Sequence, residues 1–192
     1  QRSALDVVKN MGRNGFDYIL LDVDKEGFVN LDQLKRSIDG ARLVSIQHAN
    51  QEIGTLQNLE AIGEICRAQN AVFHSDAAQS FAKEPIDVKR VKVDLLSMTS
   101  HLIHGPKGVG ALYVREGIKL EPLFEGDDRE RGLRAGSPNM PGIIGFASAV
   151  ELMKKEDLER MARLRDDLIR RLLEIRDSKL NGPMGEKRLC NN

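Results

Sequence analysis

The stretch Ala71-Val72-Phe73-His74-Ser75-Asp76-Ala77-Ala78-Gln79 sets the fold class of this chain. Residues 71–74 suit a short buried strand, and they run without a break into a polar stretch of Ser, Asp and Gln. Just upstream, Asn58 caps an amphipathic helix in which Leu59, Ile62, Ile65 and Cys66 fall at helical spacing. The same alternation extends in both directions. Upstream lie a strand at Leu43-Val44-Ser45-Ile46, a short helix over 31–38 capped by Asn30, and a further strand at Tyr18-Ile19-Leu20-Leu21-Asp22-Val23. Downstream lie a strand over 93–98 and another at Gly110-Ala111-Leu112-Tyr113-Val114. Alternating helices and strands predict an α/β fold, a mostly parallel sheet sandwiched by helices. The nearly unbroken apolar run in 94–98 suits a sheet buried on both faces.

After Pro141 the pattern turns helical. One helix is expected over 143–155. Leu158, Met161, Leu164, Leu168, Leu172 and Ile175 form the stripe of a second, which is expected to face the core because it lacks sustained heptads. Residues 4–9 read as the tail of a helix already under way, so the chain is expected to be a segment of a longer one.

The 192 residues amount to one domain or part of one. Hydrophobic residues make up 41%, enough for a core, and no apolar run approaches the ~18 residues of a membrane span. Lys+Arg and Asp+Glu are both 29, which removes the electrostatic case for nucleic acid or an anionic membrane as partner. Cys66 and Cys190 show no CxxC spacing, so neither a disulfide framework nor a zinc knuckle is indicated, and a reducing, cytoplasmic setting is expected.

Ligands of open α/β sheets bind beyond the C-terminal strand ends. There the sequence places 48–54, 74–79 and 99–108, rich in His, Asn, Asp, Gln, Thr and Ser. Three generic readings of these residues fail. The Gly105-Pro106-Lys107-Gly108 segment precedes a strand rather than a helix, so the phosphate-cradling helix N-terminus of a Walker or Rossmann motif is missing. His101 and His104, with His48 and His74, lack the acid or Cys partners of a metal site, and no metal is expected. Ser100, His101 and Asp76 lack the glycine pattern of a nucleophile elbow.

Four ordered motifs resemble one family. His74-Ser75-Asp76-Ala77-Ala78-Gln79 is similar to the HxDAAQ stretch of the fold-type I, pyridoxal-phosphate-dependent cysteine desulfurases of the class V aminotransferase family. Residues 50–57, NQEIGTLQ, are similar to their NNEIGxxQ; residues 98–112 resemble SxSxHKIYGPKGxGAL; and residues 131–139, RGLRAGSPN, resemble RGLRSGTPN. The resemblance covers essentially the whole chain but only the central half of a family member. It implies a large-domain fragment over residues 1–145, with 146–192 leading toward a small C-terminal domain.

The resemblance also assigns roles. Asp76 matches the carboxylate beside the pyridine nitrogen of pyridoxal phosphate, Gln79 the partner of the ring hydroxyl, and Thr99 and His101 the phosphate-holding pair. Ser137 matches a Thr that reaches the phosphate of the neighbouring subunit in a homodimer. Asn50 and Gln51 fall at the substrate-binding positions, Gln51 where the family usually has Asn.

The departures are chemical. Leu102 occupies the position of the Schiff-base lysine and has no amine to offer. That lysine also moves the proton at the substrate's α-carbon. Lys107 matches the separate lysine of GPKG. Asp127 and Asp128 stand in a loop that is glycine-rich and neutral in the family. The family's sulfur-accepting cysteine is matched by neither Cys66 nor Cys190. The implied reaction, removal of sulfur from L-cysteine to give alanine and a persulfide for iron–sulfur assembly, is therefore expected to be lost here, with no catalytic residue and weak, non-covalent cofactor binding. The alternative is a non-catalytic scaffold that binds iron–sulfur assembly partners.

Overall fold

The computed structural model describes residues 2–192. Strands β1 (Leu43–Gln47), β2 (Val72–Asp76), β3 (Leu95–Thr99) and β4 (Gly110–Val114) form one sheet in that order. The first three are parallel and β4 is antiparallel to β3. Helices flank the sheet: α1 (Arg2–Arg13), α2 (Leu31–Ser37), α3 (Leu59–Ala68), α4 (Met140–Leu152) and α5 (Lys155–Leu173).

Asparagines start three of these helices. The side chains of Asn30, Asn58 and Asn139 accept the backbone N–H of Gln33, Ala61 and Gly142, each satisfying a first-turn donor that has no partner within its helix. Pro141 fits inside the first turn of α4, where its missing N–H costs nothing.

Helix α3 forms the crossover between β1 and β2. Its Leu59, Ile62 and Cys66 pack with Val44, Ile46, Phe73 and Leu96 in the main core. Phe73 and Val93 are fully buried. Burying side chains of this size contributes about 1.5–3 kcal/mol each. A second cluster joins Ile103, Phe146 and Ala149, and Phe81 meets Phe146 edge-on at 5.8 Å. It fastens α4 behind the segment that follows β3. Asp94 ties the start of β3 to β2 and to the end of β4: Oδ2 accepts Phe73 N–H at 2.8 Å, and Oδ1 accepts Arg115 Nε at 2.5 Å.

One expectation fails and another holds only in part. Residues 18–23 form no strand, although Val23 makes one isolated bridge to Val29. Ile19 is 62% exposed and Leu20 54%. The segment has β-formers but no neighbouring strand to pair with, and propensity alone does not make a ladder. The stripe over 158–175 faces the core only in part: Leu158 and Met161 are half-buried. Leu164, Leu168, Leu172 and Ile175 are exposed, whereas Arg165 and Ile169 are buried. The docked face is displaced by one position from the apolar one. No helix among the described residues is long and apolar enough to cross a membrane.

Candidate functional site

The parallel register sets the geometry of the strand ends. Asp76, the last residue of β2, pairs with Gln47 at the end of β1 and with Ser97 in β3. Beyond Gln47 the chain reaches Asn50 and Gln51, and beyond Ser97 it reaches Thr99 and His101. Asn50, Asp76, Gln79, Thr99 and His101 are thus brought to one end of three adjacent strands.

Several of these side chains already hold hydrogen bonds. Asp76 Oδ1 accepts Ala78 N–H at 2.9 Å, which starts the turn carrying Gln79. Asn50 Oδ1 accepts the N–H groups of Glu52 and Ile53, at 2.8 and 3.1 Å, and so shapes its own turn. Gln51 Oε1 accepts Gln47 Nε2 at 3.1 Å. Thr99 Oγ1 lies 2.9 Å from His101 Nδ1, so the two form a polar pair. His101 opens a 3-10 turn, His101–Ile103, in which Ile103 is buried and Leu102 half-buried. The glycine-rich segment then leads into β4, as a hairpin and not a helix start.

Ser137 is set apart. It lies exposed in the loop before α4, its carbonyl accepting Arg134 Nη1 at 3.2 Å. No hydrogen bond among the described residues links it to the strand-end group. Nor does any group of three or more His, Cys, Asp and Glu among them converge as metal ligands.

The sequence reading named His48 and His74 only as polar strand-end residues, and it missed the bonds they make and the roles of Ser80 and Lys83. His74 shares a sheet face with Asp76 and bridges two strands, its Nδ1 2.8 Å from Ser45 Oγ and its Nε2 2.9 Å from Ser97 Oγ. Burial lowers its pKa, and the Asp76 charge opposes that shift. His48 lies 2.8 Å from Ser80 Oγ and donates its backbone N–H to the Asp76 carbonyl at 2.9 Å. Burial lowers its pKa to about 4, which keeps the ring neutral. Lys83 Nζ donates to the Gln79 carbonyl at 3.0 Å, and desolvation lowers its pKa. The positions of His48 and Ser80 beside the Asn50 and Gln79 motifs were the available signal. Nothing in the spacing marks Lys83.

This donor set suits pyridoxal phosphate. A carboxylate lies beside an amide-bearing turn, with a hydroxyl–imidazole pair one strand over. A carboxylate complements a protonated pyridine nitrogen, and hydroxyl and imidazole N–H groups complement a phosphate.

Comparison with known proteins agrees. The aminotransferase class-V model matches residues 2–190. The cysteine desulfurase IscS of Histophilus somni strain 2336 is 43% identical over 197 residues, covering 100% of this chain and 48% of that protein. A solved NifS-like protein superposes with a TM-score of 0.92 at 36% identity, covering 99% of this chain and 53% of the other. A structure of SspA in complex with cysteine gives 0.87 at 34% identity, over 99% of this chain and 54% of that one. The chain spans about half the length of the relatives it matches. Its ordered motifs, its sheet and these matches have a single reading, and the chain belongs to the aminotransferase class-V family.

Proposed function

We propose that the chain carries the pyridoxal-phosphate side of a cysteine desulfurase site, in a form that no longer holds the cofactor covalently. The observation that carries this reading is the position of Asp76 at the end of β2, next in the sheet to the strand that delivers Thr99 and His101. Asp76 would face the pyridine nitrogen and Gln79 the ring hydroxyl. Thr99 and His101 would hold the phosphate, with Ser137 of a second copy completing it. Bound there, pyridoxal phosphate supplies an electron sink for breaking bonds at an amino acid's α-carbon.

The chain's own residues orient and do not react. Asn50 fixes its turn through Oδ1, which leaves its amide N–H groups for an amino-acid ligand. Gln51 is drawn toward Gln47, away from an extended reach. Leu102 presents methyl groups where proton transfer needs an amine. L-cysteine is the proposed amino-acid ligand, supported by the relatives named cysteine desulfurase and by the structural neighbour solved with cysteine. Residues 1–145 would then belong to the cofactor domain and 146–192 would lead toward a second. A homodimer in a reducing, cytoplasmic compartment is part of the same reading, in keeping with two free, buried cysteines.

A second reading is favoured by Leu102 itself. A half-buried leucine at that position suits a non-catalytic scaffold for iron–sulfur assembly proteins. One experiment separates the two. Titrating the purified chain with pyridoxal phosphate should show saturable binding that dialysis reverses, weakened by Asp76→Asn, with no sulfide released from cysteine. Absence of saturable binding would leave the scaffold reading in place.

A further inference from the structure

Residues 181–192 pass along the turn that carries Asn50 and Gln51, and the two segments interlock. Leu56 N–H donates to the Lys187 carbonyl at 3.0 Å, and Leu189 N–H donates to the Gly54 carbonyl at 2.8 Å. Thr55 and Arg188 form an antiparallel bridge. The contact is too close for side chains at two points. A Cβ on Gly54 would lie 2.6 Å from Arg188 Cγ, and one on Gly182 would lie 2.0 Å from the Ile53 carbonyl oxygen. Both glycines also have positive φ, +73° and +84°, where L side chains are strained.

Arg188 lies at the centre of this contact and is only 7% exposed. Its Nη1 donates to the carbonyls of Asn181 and Pro183, at 2.9 and 3.1 Å. Its Nε donates to the Asn192 carbonyl at 3.0 Å, and Nη2 to Asn192 Oδ1 at 2.6 Å. Asn192 Nδ2 in turn donates to the Gln51 carbonyl at 2.5 Å. From the other side Arg165 of α5, 8% exposed, donates to the carbonyls of Arg188 and Leu189, at 2.6 and 3.0 Å. A continuous path of donors therefore runs from α5 through residues 188–192 to the backbone of Gln51. Two buried guanidinium groups in one cluster are costly to desolvate; Arg188 is anchored by carbonyls around its fork, and Arg165 by two carbonyls at Nη1 and by the Asp166 carboxylate at Nε.

From this path we infer that Arg188 is a positioning residue: acting through Asn192, it sets the placement of the Asn50–Gln51 turn and hence the fit of the amino-acid ligand. The ligand part rests on the proposed function, whereas the positioning part does not. Arg188 touches no ligand itself. Its effect reaches the site only through the Gln51 carbonyl and the backbone of Gly54 and Leu56.

The test uses Asn192→Asp, which removes the donor to Gln51 but keeps the acceptor for Arg188, and Arg188→Lys, which keeps the charge but loses the fork. Hydrogen exchange should show the amides of Asn50, Gly54 and Leu56 opening about tenfold faster in both variants, the factor that one ordinary hydrogen bond is worth. The amides of Ser75 and Leu96 should keep their rates, which separates a local release from general unfolding. In the same variants, calorimetry should show L-cysteine binding weakened severalfold, with pyridoxal phosphate affinity unchanged. Unchanged exchange at 50–56 would overturn the inference, as would faster exchange with unaltered cysteine affinity. Failure of the parent chain to bind cysteine would overturn the functional reading alone, and the exchange rates would still decide whether the clamp exists.

Discussion

His48 Nδ1 lies 2.8 Å from Ser80 Oγ, and this buried contact joins the exit of β1 to the turn that leaves β2. It brackets Asp76, whose carbonyl accepts the His48 N–H, and so couples the two polar strand ends that flank the proposed cofactor position.

A pH dependence follows from that contact. Burial holds the His48 pKa at about 4, below the usual 6.5, so the unfolded chain binds a proton that the folded chain refuses between those values. Stability from this source is complete above pH 6.5 and is lost as pH falls toward 4. The full loss is about 3 kcal/mol at about 1.4 kcal/mol per pH unit. Urea unfolding of the parent and His48→Asn should show a stability difference that varies across this window. A difference constant from pH 7 to 4 would mean that His48 is not held neutral. His74, whose pKa burial also lowers, remains in both proteins and so cancels from the comparison.

Different parts of the molecule were legible to different degrees. Asn30 and Asn58 stand just ahead of apolar periodicity, and both cap helices as expected. The strand ends were legible because a short strand leaves little choice about where its polar exit lies. Periodicity on α5 identified an apolar face but not which face would dock, and the docking side belongs to Arg165 and Ile169. The Arg188 clamp had no signature at all. Its acceptors are backbone carbonyls, which every residue carries, so no side-chain spacing records it.

Gly63 in α3 marks the closest approach in the main core. A Cβ there would lie 2.0 Å from the Val91 carbonyl oxygen, a backbone atom that cannot swing aside. Gly63→Ala should therefore destabilise the chain by about 1–3 kcal/mol, although alanine favours the helix more than glycine does. Denaturant unfolding would show the sign directly. A stabilised variant would mean that α3 can move away from residues 91–92 at little cost.

Association is expected from exposed apolar surface. Leu123 and Phe124 are 86% and 65% exposed on the stretch leading to the Ser137 loop, and Leu164, Leu168 and Leu172 line the outer face of α5. Large apolar side chains left this exposed suit a contact site. Sedimentation at micromolar concentration should show a dimer or larger species, and Leu123→Ser with Phe124→Ser should shift it toward monomer if the Ser137 loop lies at the subunit boundary. A monomeric parent chain would remove the shared phosphate site from the functional reading.

On the proposed function, the side chain at position 102 would determine how the cofactor can be held. Thr99 and His101 are paired at 2.9 Å, and His101 opens the turn closed by His104 at φ +67°. Leu102 is half-buried in that turn, and its side chain offers no nitrogen for covalent attachment. If Asp76, Gln79, Thr99 and His101 hold the cofactor as proposed, their contacts to its charged groups would contribute roughly 1.5–3 kcal/mol each at best. On the proposed function, such contacts would retain pyridoxal phosphate only reversibly. The parent chain mixed with pyridoxal phosphate and borohydride should therefore show no cofactor-sized mass increase on residues 98–110. Leu102→Lys, in a chain of its relatives' full length, should show it on that residue alone and should gain the absorbance of bound cofactor. An adduct on Lys107 of the parent chain would mean that the attachment point had moved along the loop. An adduct on Lys83 would mean that the buried amine now bonded to the Gln79 carbonyl can turn toward the site.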